Sequence, residues 1–414
     1  MSELRGRVAD AWASGDAQAV SLLAGDTETV VELRRGEPDL HAGDLVTLLL
    51  STDGSPGARV VAVHGGPAGA PWDPEGDATR WRRRVEPGAP SRMHLLWQRQ
   101  AALQAIRAYF HAEGFLEVQT PLLVRGTCPD VHLDSLRAGP GYLTTSTEYQ
   151  IKRLVVGGFE KLFTLTQNFR GGDQGQRHNP EFTMLEWARA FASLDAVERD
   201  AEAFVKQAFR ALHPGREKLT YRGREVRIDG VTWERLTVRE ALERHLGLHL
   251  APDADLASLR AEVERLQLDV PAPFLEDQHG LFSFLVDAVQ PHLGSPVPTF
   301  LREWPSFMTS SADLLPGAPA LAERSELIIA GLELSDGFPS LRDAALQEGF
   351  FHREQARRAR EGKEPVALDE RYLAAIRQGI PPGAGMALGV DRLIMILTGA
   401  AQIRDVLTFA WHEL

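Results

Sequence analysis

Between residues 161 and 187 the chain alternates apolar and polar side chains on both sides of a polar, glycine-rich loop, and few folds accept that pattern. Before the loop, Phe163, Leu165 and Phe169 share one face, and Thr164, Thr166, Asn168 and Arg170 share the other, the period of two that marks a strand. After the loop, Phe182, Met184 and Glu186 again share a face. Two such strands predict a β-hairpin whose concave face offers a guanidinium, an aromatic ring and a carboxylate. That set suits an anionic, aromatic, amine-bearing ligand: a nucleoside triphosphate beside an amino acid.

Two more blocks lie downstream. In Ser325-Glu326-Leu327-Ile328-Ile329-Ala330-Gly331-Leu332-Glu333, a two-residue turn at Ala330-Gly331 would put Ile328 opposite Glu333, with Glu326 as its diagonal neighbour on the same face. Two converging carboxylates suit Mg²⁺ shared with substrate phosphates. Residues Gly383 to Met395 read as a glycine-rich strand leading into a helix, a shape that lets backbone approach a nucleotide closely.

The block Arg177-His178-Asn179-Pro180-Glu181-Phe182-Thr183-Met184-Leu185-Glu186 resembles motif 2 of class II aminoacyl-tRNA synthetases, in the lysine branch. The segment Gly383-Ala384-Gly385-Met386-Ala387-Leu388-Gly389-Val390-Asp391-Arg392 resembles motif 3, at the right distance downstream. A long helix from Met93 (Leu95, Leu96, Leu103, Ile106, Tyr109, Phe110), Gly114, and the strand from Phe115 to Thr120 before Pro121 resemble motif 1, which forms the dimer interface in that family. The resemblance implies an α+β fold: a class II catalytic domain, with an antiparallel sheet flanked by helices. Its motif 2 arginine, matched by Arg170, bridges the amino-acid carboxylate and the α-phosphate, a planar task suited to a guanidinium fork. Phe182 matches the residue that stacks on adenine, Arg392 the motif 3 arginine that covers the other adenine face and reaches the γ-phosphate, and His178 a loop residue near the phosphates. Glu326 and Glu333 match the family's metal-coordinating glutamates. Glu148 matches the glutamate holding the substrate α-amino group, and Glu186 one that pairs with the lysine ε-ammonium. ATP and Mg²⁺ follow as cofactors, and a homodimer as the assembly.

Around this core the chain has three parts. Residues 1–75 carry short β-rich runs at Ala19–Leu23, Thr27–Leu33, Leu45–Leu50 and Arg59–His64, punctuated by Gly, Asp and Pro, which predicts a small OB-like barrel. Lysyl-tRNA synthetases hold an anticodon-binding barrel there. Here the segment has five basic against twelve acidic residues, and Trp12 and Trp72 are its only aromatics, so RNA chemistry is poor. Residues 76–92 read as a linker, with the basic run Arg80-Trp81-Arg82-Arg83-Arg84 as a solvated linker or helix face, or a contact for an acidic partner or RNA. Residues 93–414 form the catalytic domain, with a helical insertion over about 192–292. A formal net charge of −12 argues against broad nucleic-acid affinity. The single Cys128 excludes an internal disulfide framework, no stretch is long and apolar enough to span a bilayer, and Met1-Ser2-Glu3-Leu4-Arg5 does not read as a signal peptide, so a cytoplasmic protein is expected.

Three features narrow the resemblance toward the elongation factor P lysyltransferases, the compact paralogues of lysyl-tRNA synthetase. The chain stops at Leu414 soon after motif 3, the stretch Phe350 to Arg360 is similar to theirs, and Ala387 stands where the tRNA enzymes have Gly. That resemblance implies activation of lysine or (R)-β-lysine with ATP and transfer to a lysine of elongation factor P, with the Ala387 methyl favouring the β-amino acid. The pocket departs from the pattern. Ser340 replaces a carboxylate that would face the ε-ammonium, Ala188 replaces a Tyr, and Thr147 a Pro. Asp336 replaces an Asn near the substrate carboxylate, where a further negative charge is awkward unless a cation intervenes. Gly172 replaces an adenine-contacting Glu, for which Asp173 can substitute. These departures keep other readings open: activation of a different amino acid for a carrier protein or small molecule, a non-catalytic binding paralogue, and, behind these, charging of tRNA.

Overall fold

Alternating strand patterns and amphipathic helices sort this chain into two compact units, residues 1–97 and 98–414. The computed structural model describes residues 2–25, 27–51, 57–67, 72–73, 81, 90–172, 174–309 and 311–414.

The first unit is a five-stranded sheet: β1 (Ser2–Ser14), β2 (Ala17–Ala24), β3 (Thr27–Glu32), β4 (Leu45–Leu50) and β5 (Arg59–Gly65), in the order β3-β2-β1-β4-β5. A bulge between Val8 and Asp10 bends β1, which pairs with β4 through its first half and with β2 through its second. A parallel bridge from Leu33 to Ala58 joins the two edges, the closure of an OB-like barrel. Val8, Val20, Leu22, Val46 and Leu48 fill its interior. The basic run at the linker falls almost wholly outside the described residues, only Trp81 being among them.

The second unit begins on α1 (Arg92–Ala112), whose Ala102, Ile106 and Phe110 recur at helical spacing and are fully buried. Phe110 packs against Phe115, Phe163, Trp187 and Phe204. Gly114, at a φ of +76°, lets the chain reverse, and Phe115 N–H returns to Phe110 O at 2.9 Å. Short strands follow, β6 (Leu116–Glu117), β7 (Leu123–Val124), β8 (Arg137–Ala138) and β9 (Gly141–Leu143), then α2 (Glu148–Val156). The predicted hairpin is β10 (Lys161–Phe169) and β11 (Glu181–Ala190), paired Thr164 to Glu186, Thr166 to Met184 and Asn168 to Phe182.

After α3 (Leu194–Leu212) comes the stretch expected to be helical. It does hold α4 (Val238–Leu246), α5 (Leu256–Arg265) and α6 (Gln278–Val289), which share one apolar cluster. It also holds β12 (Lys218–Tyr221), β13 (Arg224–Arg227) and β14 (Glu234–Thr237), where a turn at Arg222-Gly223 breaks the helical period. The remaining elements are β15 (Thr299–Pro305), β16 (Leu314–Leu315), β17 (Ala318–Ile329), β18 (Leu332–Pro339), α7 (Ala344–Arg360), α8 (Glu370–Arg377), β19 (Gly383–Gly389) and α9 (Val390–Thr398). The main sheet runs β14-β15-β17-β18-β19-β11-β10-β6, with β16 paired to β17; it is antiparallel except at β14–β15 and β10–β6. Beneath β17, the fully buried Glu198 of α3 accepts from Arg235, Arg302 and Ser325, so a charge network fixes the strand that bears Glu326. Among the described residues no helix is long and apolar enough to cross a membrane.

Candidate active site

One row of the sheet assembles the site. Thr164, Glu186, Ala387, Asp336 and Glu326 are successive cross-strand partners from β10 through β11, β19 and β18 to β17. Residues in register on neighbouring strands present side chains to the same face, so carboxylates distant in sequence meet on one floor. Two cavities open on that floor. One of about 220 Å³ is lined by Glu148, Lys152, Glu186, Ala188, Arg324, Phe338 and Ser340. The other, about 110 Å³, is lined by Arg177, His178, Phe182, Glu333 and Arg392. Arg170, Met184, Asp336 and Ala387 line both, so the cavities join there.

Arg170 follows β10 directly and lies over the Phe182 ring at 5.2 Å. Its Nε is buried with no hydrogen-bond partner among the described residues, an orphaned charged donor at the junction of the two cavities. An anion placed there answers it, because an unmet charged donor is costly in a dry site.

Arg392, in the first turn of α9, donates Nη1 to Glu333 O at 2.9 Å and Nη2 to His178 Nε2 at 2.5 Å. A strand carbonyl and a loop imidazole thus hold the guanidinium at the second cavity. Behind it, Arg99 of α1 contacts Asp391 at 2.6 Å and Thr183 Oγ1 at 2.8 Å, while Asp391 accepts from Thr183 N–H at 2.8 Å. That buried triangle ties the Phe182 strand to the Arg392 helix. Asp173 lies outside the described residues.

The β17–β18 hairpin has the two-residue turn, with Ala330 and Gly331 at φ +54° and +78°, and Ile328 pairs with Glu333. A bulge between Leu327 and Ile328 shifts the register beyond it. Glu326 therefore faces Asp336, and is not the diagonal neighbour of Glu333 that even spacing predicts. Burial holds the Glu326 carboxyl well above the usual carboxylate range; Arg324 opposes the rise, and the charges of Glu333, Asp336 and Asp287 add to it. A corner where carboxylates push one another up fits a divalent cation shared with phosphate oxygens. No group of three or more potential metal ligands occurs among the described residues.

Arg324 is a residue that motif reading passed over. It donates to Asp336 at 2.8 Å, to Glu326 at 2.7 Å and to Met308 O at 2.8 Å, with its guanidinium 4.4 Å from the Trp304 ring. It is the cation that Asp336 requires, and its signal was its place two residues before Glu326 on the same strand face.

Lys152 is a second such residue. It is only 6% exposed, its ammonium is 2.6 Å from Glu148, and it lies 5.1 Å from the Phe338 ring. The four-residue spacing on α2 carries that signal. Glu148, matched to the substrate-amine ligand, is thus already paired with a cation of the chain itself. Glu186 is 4% exposed and accepts from Ser146 Oγ and Thr147 N–H, both at 2.8 Å, at the N-terminal end of α2. Burial pushes its pKa up to about 7; those two hydrogen bonds oppose the rise and the Glu148 charge adds to it. Ser340 lines the cavity and donates its N–H to Gly383 O at 3.1 Å. Cys128 also lines it, with a thiol pushed up to about 12 by burial, which keeps it a neutral packing group.

Residues 80–413 match the model of the tRNA synthetases class II (D, K and N) family, which begins beyond the N-terminal barrel. The chain is 34% identical over 335 residues to the elongation factor P–(R)-β-lysine ligase of Klebsiella pneumoniae subsp. pneumoniae, covering 78% of this chain and 96% of that protein. It is 34% identical over 325 residues to the ligase of the same name from Salmonella paratyphi B, covering 76% and 94%. With motifs 2 and 3 in register on adjacent strands and a family match over residues 80–413, the chain belongs to the class II (D, K and N) tRNA synthetase family, as a relative of the elongation factor P–(R)-β-lysine ligases.

Proposed function

We propose that the protein activates lysine or (R)-β-lysine with ATP and ligates it to a lysine of elongation factor P. The observation that carries this reading is the orphaned Arg170 donor at the junction of the two cavities, the point where an amino-acid carboxylate and an α-phosphate would meet. In the proposed reaction the carboxylate oxygen attacks the α-phosphorus, pyrophosphate leaves, and an aminoacyl-adenylate forms. The acceptor amine then attacks the carbonyl carbon and AMP departs. The carboxylate needs no general base, so the protein's task is placement and charge. Arg170 spans both reactants, Phe182 and Arg392 hold the adenine, and Arg392 with His178 faces the phosphates. Glu326 and Glu333 would hold Mg²⁺, which supplies charge neutralisation at the phosphates. Glu148 and Glu186 would receive the two amines, and Ala387 narrows the floor between them.

The reading also places the protein in the cytoplasm as a homodimer. The exposed Leu116, Leu122 and Leu123 near the start of the second unit are the apolar surface that supports a dimer. The acidic N-terminal barrel serves as a domain repurposed away from RNA.

The Lys152–Glu148 pair, Ser340 and Ala188 favour a second reading, in which the cavity takes an amino acid other than a diamino acid. ATP–pyrophosphate exchange with every common amino acid and both β-lysine enantiomers decides between them. Exchange with lysine or β-lysine, followed by a mass increase on elongation factor P, is the expected result. Exchange with another amino acid alone transfers the conclusion to the second reading, and no exchange with any of them ends both.

A further inference from the structure

We propose that Arg222, at the tip of the β12–β13 hairpin, is a further phosphate-binding residue that closes the outer end of the nucleotide cleft over the terminal phosphates of ATP and over pyrophosphate. The inference rests on the reading of that cleft as a nucleotide site.

Two tethers bring the hairpin to the cleft. At its root, His213 Nε2 meets Leu397 O, at the far end of α9, at 2.6 Å. At its tip, Arg222 Nη2 donates to Ala401 O at 2.7 Å. The segment after Ala401 is bonded in turn to the loop between β10 and β11: Ile403 N–H donates to Gln176 O at 2.8 Å. Ile403 lines the cleft together with Arg177, His178 and Arg392. The hairpin tip, the segment after α9 and the Arg177–His178 loop are therefore linked by hydrogen bonds in a series that ends at the cleft, with Arg222 just beyond its lining residues. Arg224 adds an anchor on the other side, donating to Pro291 O.

Carboxylates of Glu333, Asp336 and Asp391 line the cleft as well, while Arg177 has two further arginines as charged neighbours. Burial and the neighbouring charges of Arg222 and Arg392 hold the Arg177 guanidinium below its ordinary range. Cations gathered in this way repel one another unless an anion sits among them, and the polyphosphate end of a nucleotide is the anion this cleft is shaped to receive.

The backbone supports the same view. Arg222 sits at φ +48° before Gly223 at +77°, the turn in which Asn-Gly is favoured and a long side chain is strained. An arginine in that conformation carries a cost to the turn, which under the proposal its guanidinium offsets at the cleft.

The test uses Arg222→Asn in the full-length protein, because asparagine suits this turn and removes the cation. Calorimetric titrations with ATP, inorganic pyrophosphate and AMP are compared with the unaltered protein. ATP and pyrophosphate should bind about tenfold more weakly, the loss expected for one charge-assisted contact, with AMP unchanged and the melting temperature equal or higher. In exchange assays the KM for ATP and pyrophosphate should rise while the amino-acid KM holds, and Arg222→Lys should recover part of the loss. Unchanged ATP and pyrophosphate affinity, or a parallel loss of AMP binding, would overturn the proposal. If the unaltered protein binds neither ATP nor pyrophosphate, the nucleotide reading fails with it, a result visible without any variant.

Discussion

The nucleotide cleft and the amino-acid cavity share a sheet face and four lining residues, yet they are built on different principles. At the cleft, the hydrogen bonds of the cations go to neutral partners: Arg392 donates to a strand carbonyl and an imidazole, with the Glu333 carboxylate farther off at 3.9 Å, and outside the lining Arg222 donates to a carbonyl. Less of their charge is spent on carboxylates. In the amino-acid cavity, charges are spent on one another: Lys152 on Glu148, and Arg324 on Glu326 and Asp336, while Glu186 is capped by Ser146 and Thr147. Under the proposed function, the first arrangement would bind a nucleoside triphosphate by its charge. The second sets which ammonium groups can compete with internal partners, so specificity can be rebuilt there without disturbing activation.

The most severe way to break this comparison is Arg170→Ala, which removes the donor common to both sides. The rate of ATP–pyrophosphate exchange should fall by about 10²–10³, the size of loss seen when one preorganised oxyanion donor is deleted, with little change in melting temperature. Arg324→Met attacks the internally paired side. It strands the buried Glu326 and the partly exposed Asp336, and denaturant unfolding should show a loss of roughly 2–3 kcal/mol, most of it through Glu326. If stability holds, those pairs do not act as a structural unit.

Ser340→Glu sharpens the comparison by returning a carboxylate to the cavity. The KM for lysine should fall about tenfold while the KM for ATP stays fixed. A change in both would show that the two sides are not separable. The smallest effect is in pH. Because the folded Glu186 carboxyl titrates at about 7 and its ordinary value is 4.5, the folded state binds more protons than the unfolded state between these values. Its contribution to stability therefore declines as pH rises through that window. Ammonium binding has the opposite sign and should strengthen a few-fold from pH 6 to 8 as the carboxylate ionises. Glu186→Gln should flatten both curves, as read by melting temperature and by substrate KM against pH.

The β10–β11 hairpin was legible because alternation over nine and ten residues specifies a face, and a slip of one residue would invert every side chain. The β17–β18 turn was legible for the same local reason. The bulge at Leu327–Ile328 was not, because a bulge is one extra residue in a ladder and leaves no periodic mark. β1 was missed in the first unit because Glu3, Arg5, Arg7 and Asp10 dilute its β signal, although its pairing with two strands builds the barrel. Lys152 and Arg324 were visible as residues, but their partners depend on packing.

By itself, then, the sequence determined the strand faces, the turn chemistry, the motif residues and the family, since these follow from local periodicity and residue identity. Only the tertiary structure decided that Glu186, Ala387, Asp336 and Glu326 form one row, that Lys152 and Arg324 already hold their carboxylates, and that Arg222 is bonded to the segment after α9. Those outcomes depend on register between strands far apart in sequence, and on which charges burial brings together before any ligand arrives.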